Sequence, residues 1–291
     1  MKIMSKSFSE TYQNVLLHCI QQAIHEDLDS SGDHTSKAIF PANHQSKAKL
    51  IAKGAGVLAG VDFCSLLLRH HAPNVTLIPL VNDGAFFSVG ETLLTLEGDT
   101  QSMLSLERIL LNALQRMSGI ATVTQEIQHS IAHTNCKLLD TRKTTPNFRI
   151  AEKWAVNIGG GVNHRMGLYD AIMLKDNHID FCGGLAQALN KTKIYVDRLS
   201  ASIPVIVETR NLNDVAICLQ HTWISRVLLD NMTPTELAEA VTLIDGKIPT
   251  EASGNITPKN CISYAETGVD FISLGYITHS APIIDLSLRA D

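Results

Sequence analysis

The stretch DTRKTTPNFR, residues 140–149, combines residue types that bind anions. Arg142 and Lys143 stand side by side, just after a run at 136–139 that resembles the end of a buried strand. Arginine matches a planar carboxylate with two parallel hydrogen bonds, and lysine serves phosphate as a point charge. The pair therefore indicates a ligand set that carries both kinds of anion.

Positive charge is concentrated in one window of an otherwise acidic chain. The 291 residues carry a net charge of −5, but residues 141–175 carry +4, which leaves −9 for the remainder. The cations of this window are Arg142, Lys143, Arg149, Lys153, Arg165 and Lys175. Such a cluster favours a small polyanionic ligand, while the overall charge argues against nucleic acid as a partner. Around Glu152, a solvated helix face that pairs this acid with Arg149 and Lys153 is the simpler interpretation.

Composition excludes several classes of protein. No apolar run is long enough to cross a bilayer, and the opening MKIMSKSFSETYQ lacks the apolar core of a signal peptide. The six cysteines are scattered without a CxxC pair, which indicates reduced thiols, no zinc site and no disulfide framework. We therefore expect a cytoplasmic protein that binds neither membrane nor nucleic acid.

The second part of the chain alternates strand and helix signals. Apolar, strand-like runs lie at 137–139, 171–174, 205–207, 227–229, 248–250 and 271–274. Helical stretches lie between them, for example at 212–220, 235–244 and 258–267. Strict alternation implies parallel strands with right-handed crossovers. The expected fold is α/β, with an incomplete barrel of about six strands where a complete one has eight.

The first 118 residues mix the two kinds of signal and indicate a separate domain. Helical periodicity is found at 12–26 and 104–118. Short strands are indicated at 47–61, with a glycine turn inside, and at 75–80 and 91–96.

Each strand of the predicted barrel ends in polar residues. The ends read DTRK, KDNH, ETRN, DNM, EASGN and GYITHS. Active sites of such barrels lie at the carboxyl ends of the strands, because side chains converge there. Polar residues also make turns, so one such end would carry little weight. Several ends carry charged groups, namely Lys143, Lys175, Glu208, Asp230 and Glu251.

Two of these ends suggest a metal and two suggest a phosphate. Glu208 and Asp230 end neighbouring strands, and such carboxylates hold Mg²⁺ through water or bind ribose hydroxyls, although they also serve as plain strand-end caps. EASGNIT places small residues before a helix expected at Thr257, and Gly275 stands at the last strand end. Small-residue loops and helix starts bind phosphate monoesters, which many barrels hold after the last two strands.

The glycine-rich segment GGGVNHR, residues 159–165, carries less weight. Glycines allow backbone to approach a ligand closely, but the segment matches no established phosphate-binding loop. His164 suits an ordinary turn as well as a charged clamp. Taken together, the residues predict an enzyme for a phosphoribosyl donor and an acidic acceptor.

With these segments in place, the chain resembles the quinolinate phosphoribosyltransferase family, also called nicotinate-nucleotide pyrophosphorylase (carboxylating). The matching segments, in family order over nearly the whole chain, are EDLDSSGDHTS, GVLAGVDF, ERILLNALQRMSGIAT, DTRKTTPNFRIAEKWAV, GGGVNHRMGLYDAIMLKDNH, VETRN, LLDNM, EASGNIT and TGVDFISLGYITHSAPIIDLSL. One departure is Asn147, where the family usually has glycine. Because asparagine tolerates a left-handed backbone, we expect the turn to persist.

The resemblance implies a domain organisation. An N-terminal α/β sandwich domain would occupy residues 1–118 and be rejoined by the C-terminal tail, 281–291. An open α/β barrel catalytic domain would occupy residues 119–280. A homodimer with shared active sites, or a higher oligomer, is also implied, in which one subunit supplies Arg108 to the barrel of its partner.

The resemblance further implies an activity. Quinolinate and phosphoribosyl pyrophosphate would give nicotinate mononucleotide, pyrophosphate and CO₂, with Mg²⁺, in de novo NAD biosynthesis. The implied catalytic residues are Lys143, Lys175, Glu208 and Asp230, of which Glu208 and Asp230 would hold the metal. The implied substrate-binding residues are Arg108, Thr141, Arg142, Lys143, His164, Arg165, Lys175, Glu208, Asp230, Ser253, Gly254, Asn255, Ser273, Leu274 and Gly275.

Three other functions fit parts of the pattern. A paralogous enzyme associated with molybdenum transport would share the scaffold and take a different acceptor. A Schiff-base lyase would use Lys175 and would be trapped by borohydride in the presence of substrate. A non-catalytic nucleotide sensor would not need the intact set of Lys143, Lys175, Glu208 and Asp230.

Overall fold

The computed structural model describes residues 7–291. In chain order, its helices are α1 (Phe8–Thr11), α2 (Gln13–Leu28), α3 (His34–Ile39), α4 (Val61–His71), α5 (Thr100–Ser130), α6 (Arg149–Ile158), α7 (Asp176–Cys182), α8 (Leu185–Val196), α9 (Leu212–Cys218), α10 (Pro234–Ile244), α11 (Cys261–Ala265) and α12 (Tyr276–His279). Its strands are β1 (Gln45–Ala52), β2 (Gly56–Val57), β3 (Val75–Pro79), β4 (Phe86–Phe87), β5 (Thr92–Asp99), β6 (Lys137–Leu139), β7 (Ile172–Leu174), β8 (Val205–Thr209), β9 (Arg226–Asp230), β10 (Thr250–Ser253), β11 (Phe271–Ser273) and β12 (Leu286–Ala290).

Backbone contacts group these elements into two compact units. The first comprises residues 7–125, Thr144–Gly160 and Ile277–Asp291, and the second comprises Glu126–Lys143 and Gly161–Tyr276. The domain limits implied by the resemblance, at residues 118 and 280, stay a prediction.

The first unit contains an antiparallel sheet in the order β12-β1-β5-β3. In β1, Ala48, Leu50 and Ala52 are buried, and the residues between them are more exposed. This period of two is typical of an antiparallel sheet that packs one face against a core. The C-terminal strand β12 pairs with β1, so that Leu288 lies opposite Leu50.

The helix expected at 104–118 is present and is longer than expected, because α5 runs from residue 100 to residue 130. Within the first unit the C-terminal tail follows this helix closely: Gln115 Nε2 donates to the Leu286 carbonyl at 3.0 Å. A β-carbon placed on Gly119 would lie 1.9 Å from the Pro282 carbonyl oxygen. The helix and the tail are therefore in contact at a position where only glycine fits.

The second unit contains six parallel strands in the order β6-β11-β10-β9-β8-β7. This confirms the α/β class and the count of six barrel strands. Every residue of β8 is buried, as expected for a parallel strand covered on both sides. The strand predicted at 248–250 lies further along the chain, because β10 begins at Thr250 and includes the buried Glu251. The prediction followed apolar residues and missed a strand with an acid inside it.

Helix α10 of the second unit starts at an identifiable cap. In α10, Thr233 and Glu236 form a reciprocal capping box, and Pro234 occupies the first turn. The helix predicted at 258–267 is shorter: α11 begins at Cys261, after a turn in which Asn260 Oδ1 accepts from the Thr257 amide at 2.7 Å.

The prediction of a solvated face for α6 was wrong, because Glu152 and Lys153 are both fully buried. Glu152 accepts hydrogen bonds from Arg116 Nε at 3.0 Å and from the Thr145 hydroxyl and amide at 2.8 and 3.0 Å. A buried carboxylate needs such partners to offset its lost hydration. The bonds fix Thr145, which lies two residues after Lys143 in the chain.

The six cysteines are free thiols. Burial raises the pKa of Cys19 to about 11 and that of Cys218 to about 12, so these thiols are unreactive at neutral pH. Of the helices within residues 7–291, none has both the length and the apolar character that a membrane crossing requires.

The contact between α5 and the tail gives a first prediction. Gly119→Ala should destabilise the protein by about 1–3 kcal/mol, because the added methyl group collides with backbone that cannot move away. Chemical denaturation would measure the loss. Asn112→Ala, at an exposed position of the same helix, is the matched control and should stay within about 0.5 kcal/mol of the wild type. Equal stability of the two variants would contradict the packing described here.

Candidate active site

The carboxyl ends of the six parallel strands meet at one edge of the sheet of the second unit. Most of the predicted site residues lie in or directly after these ends, namely Thr141, Arg142, Lys143, Lys175, Glu208, Asp230, Ser253, Gly254, Asn255, Ser273, Leu274 and Gly275. His164 and Arg165 lie in a loop whose Val162 bridges to Leu139 of β6. Arg108 is exposed on α5 in the first unit.

Asp140 joins two of the segments that carry cations. It is fully buried directly after β6, and its Oδ1 accepts from the His164 amide at 2.8 Å. Its Oδ2 accepts from Asn163 Nδ2 at 2.6 Å. This carboxylate therefore ties the loop of Arg165 to the strand end that precedes Arg142. The sequence reasoning did not assign it a role, although it opens the DTRK segment.

Arg142 and Arg165 are close enough to repel each other. Burial lowers the pKa of Arg165, the neighbouring Arg142 lowers it further, and Asp170 only partly opposes these effects. Arg165 Nη1 also donates to the Ala171 carbonyl at 3.1 Å, which restricts the guanidinium. An anion bound between two adjacent guanidinium groups relieves the repulsion between them. This arrangement suits a ligand with carboxylate groups.

Glu208 and Asp230 form an acidic pair beside two lysines. Burial is the main cause that raises the pKa of Glu208, and the charge of Asp230 adds to it. Burial likewise raises the pKa of Asp230, while Asn231, Lys175 and Lys143 oppose the shift. Acids with raised pKa values at a strand edge mark a functional site, since such crowding of charge does not favour folding.

Asp176 is a third acid at this place, and the sequence reasoning missed it. Its charge raises the pKa values of both Glu208 and Asp230. Its backbone amide donates to Glu208 Oε1 at 3.1 Å and so fixes that carboxylate. The signal for it was present in the segment KDNH, where it directly follows Lys175.

The loop after β10 has the backbone of a close turn. Gly254 has a φ of +91°, and a β-carbon there would lie 2.2 Å from Asn231 Oδ1. Asn255, with a φ of +54°, donates from Nδ2 to the same Oδ1 at 3.0 Å. Asn231 Nδ2 in turn donates to Asp230 Oδ2 at 2.6 Å. The predicted phosphate loop is thus linked directly to the acidic pair.

His164 is buried, and both of its ring nitrogens face protein atoms. Nδ1 accepts from the Arg165 amide at 2.6 Å, and Nε2 lies 3.2 Å from Glu251 Oε2. Glu251 is 1% exposed and also accepts from Arg226 Nη1 at 2.9 Å. Burial alone would raise the pKa of Glu251, but His164 and Arg226 outweigh it, so the pKa lies below its ordinary value. The predicted substrate contact of His164 stays a prediction.

Gly159 and Gly160 serve packing and a turn in the first unit. A β-carbon on Gly159, at the end of α6, would lie 2.5 Å from the Ala121 carbonyl, and Gly160 has a φ of +87°. Asn147 has a φ of +62°, which confirms that asparagine supports the left-handed turn expected there.

Comparison with known families settles the affiliation of the chain. Residues 33–118 match the quinolinate phosphoribosyl transferase N-terminal domain, and residues 120–289 match the C-terminal domain of the same enzyme. The chain belongs to the quinolinate phosphoribosyltransferase family. This confirms the resemblance drawn from the sequence segments.

Individual members of the quinolinate phosphoribosyltransferase family are similar to this chain over most of its length. A protein of Nicotiana tabacum named quinolinate phosphoribosyltransferase [decarboxylating] 1b is 40% identical over 286 residues, which are 94% of this chain and 81% of the relative. A probable nicotinate-nucleotide pyrophosphorylase [carboxylating] of Bacillus subtilis (strain 168) is 39% identical over 90% of this chain and 89% of its own. The solved nicotinate-nucleotide pyrophosphorylase of Francisella tularensis is 34% identical, with a TM-score of 0.88 over 99% of this chain and all of its own.

The acidic pair of this family member has the kind of ligands that Mg²⁺ uses. Within the described residues 7–291, no group of three or more His, Cys, Asp or Glu side chains gathers where it could hold a metal. Mg²⁺ commonly uses one or two carboxylates and completes its shell with water and phosphate oxygens. Glu208 and Asp230 fit that pattern, because their pKa values are raised by burial and a cation would relieve their charge.

The crowding of acids predicts that Glu208→Gln is more stable than the wild type at neutral pH. The pKa of Glu208 is raised in the folded protein, so this residue favours folding only while it is protonated. Its contribution to stability is lost as the pH rises through that pKa. The uncharged amide avoids the cost of a buried charge. The gain in stability over the wild type should therefore shrink as the pH is lowered towards the ordinary carboxyl pKa of about 4.3. Thermal unfolding at neutral pH and at a pH near that carboxyl pKa measures the difference in stability.

Glu236→Gln is the matched control for this measurement. Hydrogen bonds from the Thr233 cap lower the pKa of Glu236, so its ionised form favours folding above the ordinary carboxyl pKa. This variant should lose stability at neutral pH, opposite in sign to Glu208→Gln. A loss of stability in both variants would contradict the electrostatic account of Glu208.

Proposed function

We propose that the protein joins quinolinate to the ribose of phosphoribosyl pyrophosphate and releases pyrophosphate and CO₂, giving nicotinate mononucleotide for NAD biosynthesis. It is therefore a pentosyltransferase of the kind named in its relatives. The observation that carries the proposal is the division of charge at one edge of the sheet. A pair of guanidinium groups lies there together with a pair of carboxylates flanked by lysines.

The arginines account for the acceptor. Quinolinate has two adjacent carboxylates on a flat ring, and a guanidinium binds a carboxylate with two parallel bonds. Arg142 and Arg165 would hold these groups, because their mutual repulsion is relieved by a dianion. Two contacts support this assignment: Asp140 accepts from the His164 amide, and Arg165 donates to the Ala171 carbonyl, so that the Arg165 guanidinium is restricted.

The acids and lysines account for the donor. Lys143 and Lys175 would hold the departing pyrophosphate, while Glu208 and Asp230 would hold Mg²⁺ and the ribose hydroxyls. When bound, Mg²⁺ neutralises charge that develops on the pyrophosphate. The loop at Ser253, Gly254 and Asn255, with Ser273 to Gly275, would receive the 5′-phosphate. The contact of Asn231 with Asp230 keeps this loop and the acids at a fixed spacing.

The chemistry then depends on placement and charge. The ring nitrogen of quinolinate attacks C1 of the ribose, and pyrophosphate leaves with the electrons of the C1–O bond. Positive charge develops on the sugar, so that Glu208 and Asp230 favour the transition state electrostatically. Once the ring nitrogen is cationic, the neighbouring carboxylate is lost as CO₂. The electrons of the broken bond stay on the ring carbon, next to the cationic nitrogen, and that carbon then takes up a proton from solvent to give nicotinate mononucleotide.

The test is an assay of the purified protein. Quinolinate, phosphoribosyl pyrophosphate and Mg²⁺ should give nicotinate mononucleotide, followed by chromatography. Nicotinate, offered in parallel as the acceptor, should give no product, because it lacks the second carboxylate. Folded protein that binds phosphoribosyl pyrophosphate but forms no product with either acceptor would overturn the proposal. That result would favour the paralogous enzyme with another acceptor.

We further propose that the enzyme works as a cytoplasmic homodimer with shared active sites. The free thiols of the six cysteines are consistent with a reducing compartment. Arg108 belongs to the first unit and is exposed, which leaves it available to a second subunit.

Mixing two inactive variants tests the shared site. Arg108→Ala and Lys175→Ala should each lose activity, and mixed dimers should regain it in one of their two sites. After full exchange of subunits, about a quarter of all sites should be active. The control is each variant taken alone through the same exchange. If verified mixed dimers remained inactive, Arg108 would not act in the site of the partner.

A further inference from the structure

The acid Glu251 lies inside the sheet of the second unit and has no place in the chemistry proposed above. It stands in the middle of β10, and its side chain is 1% exposed. Its Oε2 is shared by Arg226 Nη1 at 2.9 Å and His164 Nε2 at 3.2 Å. A carboxylate buried so completely is costly unless its partners compensate it, which makes both contacts structurally necessary.

Arg226 is held independently of His164. Its guanidinium carbon lies 4.3 Å from the centre of the Phe271 ring, and its side chain is 21% exposed. Arg226 starts β9 and Phe271 starts β11, so this end of the network lies at the amino ends of the strands. Glu251 therefore connects the amino ends of the strands with the loop of His164.

The proton on His164 can be placed from its two contacts. Nδ1 accepts from the Arg165 amide at 2.6 Å and therefore carries no proton. Nε2 is buried and lies 3.2 Å from Glu251 Oε2, without a hydrogen bond of regular geometry. Without a proton between them, a ring nitrogen and a buried carboxylate would repel each other at this distance. The ring proton therefore resides on Nε2.

We propose that Glu251 is a positioning residue for acceptor binding: it keeps the His164 proton on Nε2, so that Nδ1 accepts the Arg165 amide and holds that arginine in place. The inference rests on the proposed function, since it concerns the arginine that would bind quinolinate. It gives His164 an indirect role, in which the hydrogen bond at one ring nitrogen sets the state of the other.

Two substitutions separate this role from simple packing. Glu251→Leu removes the acceptor at nearly the same volume, whereas Glu251→Gln keeps a carbonyl that can accept from Nε2. Glu251→Leu should raise the KM for quinolinate about tenfold, as loss of a residue that orients a binding side chain does elsewhere. The KM for phosphoribosyl pyrophosphate should change less than about twofold, and Glu251→Gln should restore most of the quinolinate affinity.

The tautomer is read directly by nuclear magnetic resonance of protein with ¹⁵N-labelled histidine. A His164→Gln sample identifies the His164 signals among the 12 histidines. Wild type and Glu251→Gln should show His164 with its proton on Nε2, and Glu251→Leu should lose that state. If Glu251→Leu does not fold, Glu251→Leu combined with Arg226→Met removes both charges of the pair and should show the same loss.

Glu266→Leu is the matched control. It removes an exposed His–Glu pair in the same unit, in which His133 Nε2 lies 3.0 Å from Glu266 Oε1. Neither KM and no His164 signal should change in this variant.

A wild-type His164 with its proton on Nδ1 would overturn the inference. Equal rises in both KM values for Glu251→Leu would also overturn it. If the wild type formed no nicotinate mononucleotide, the proposed function would fail, while the tautomer measurement would still decide the contact between Glu251 and His164.

Discussion

Charge held at the carboxyl edge of a parallel sheet is the constraint on which the site depends. Arg142 and Arg165 repel each other there, and Glu208 and Asp230 are crowded by a third acid, Asp176. Neither arrangement favours folding. The sheet tolerates both because its strands are covered by apolar side chains, such as those of β8 and the cluster of Ala171, Ile206 and Leu228. The stability of the sheet offsets the cost of holding these like charges close together.

Buried acids with matched partners hold the site in shape. Asp140 ties one cation-bearing loop to β6, and Glu251 connects His164 with Arg226. In the first unit, Glu152 fixes Thr145. Asp140 and Glu152 each accept from two or more donors, whereas Glu251 accepts from Arg226 and lies 3.2 Å from the His164 ring. Such contacts compensate a buried charge and fix the backbone around it. These acids are distinct in function from the pair at the strand ends, where the charge is left incompletely compensated.

The acids at the strand ends were easier to predict from the sequence than the buried, paired acids. Glu208 and Asp230 follow apolar runs, so the position of a charge after a strand was enough to find them. Glu251 lies inside a strand. Because strands were predicted from apolar residues, the predicted position of β10 was too close to Ile248. Glu152 and Lys153 were assigned to a solvated face because charged residues at helical spacing usually are solvated, yet both are fully buried. Periodicity cannot show that a partner such as Arg116 arrives from a distant helix.

By itself, the sequence determined the α/β class, the six parallel strands, the family and the candidate residues at the strand ends. These depend on local order along the chain: apolar runs, turns and the residues that follow them. The tertiary structure decided which buried charges are paired and which strand-end acids have raised pKa values. One oxygen of Glu251 contacts both Arg226, 25 residues earlier in the chain, and His164, 87 residues earlier. Such contacts depend on strand order and register, because only these bring distant residues to one face of the sheet.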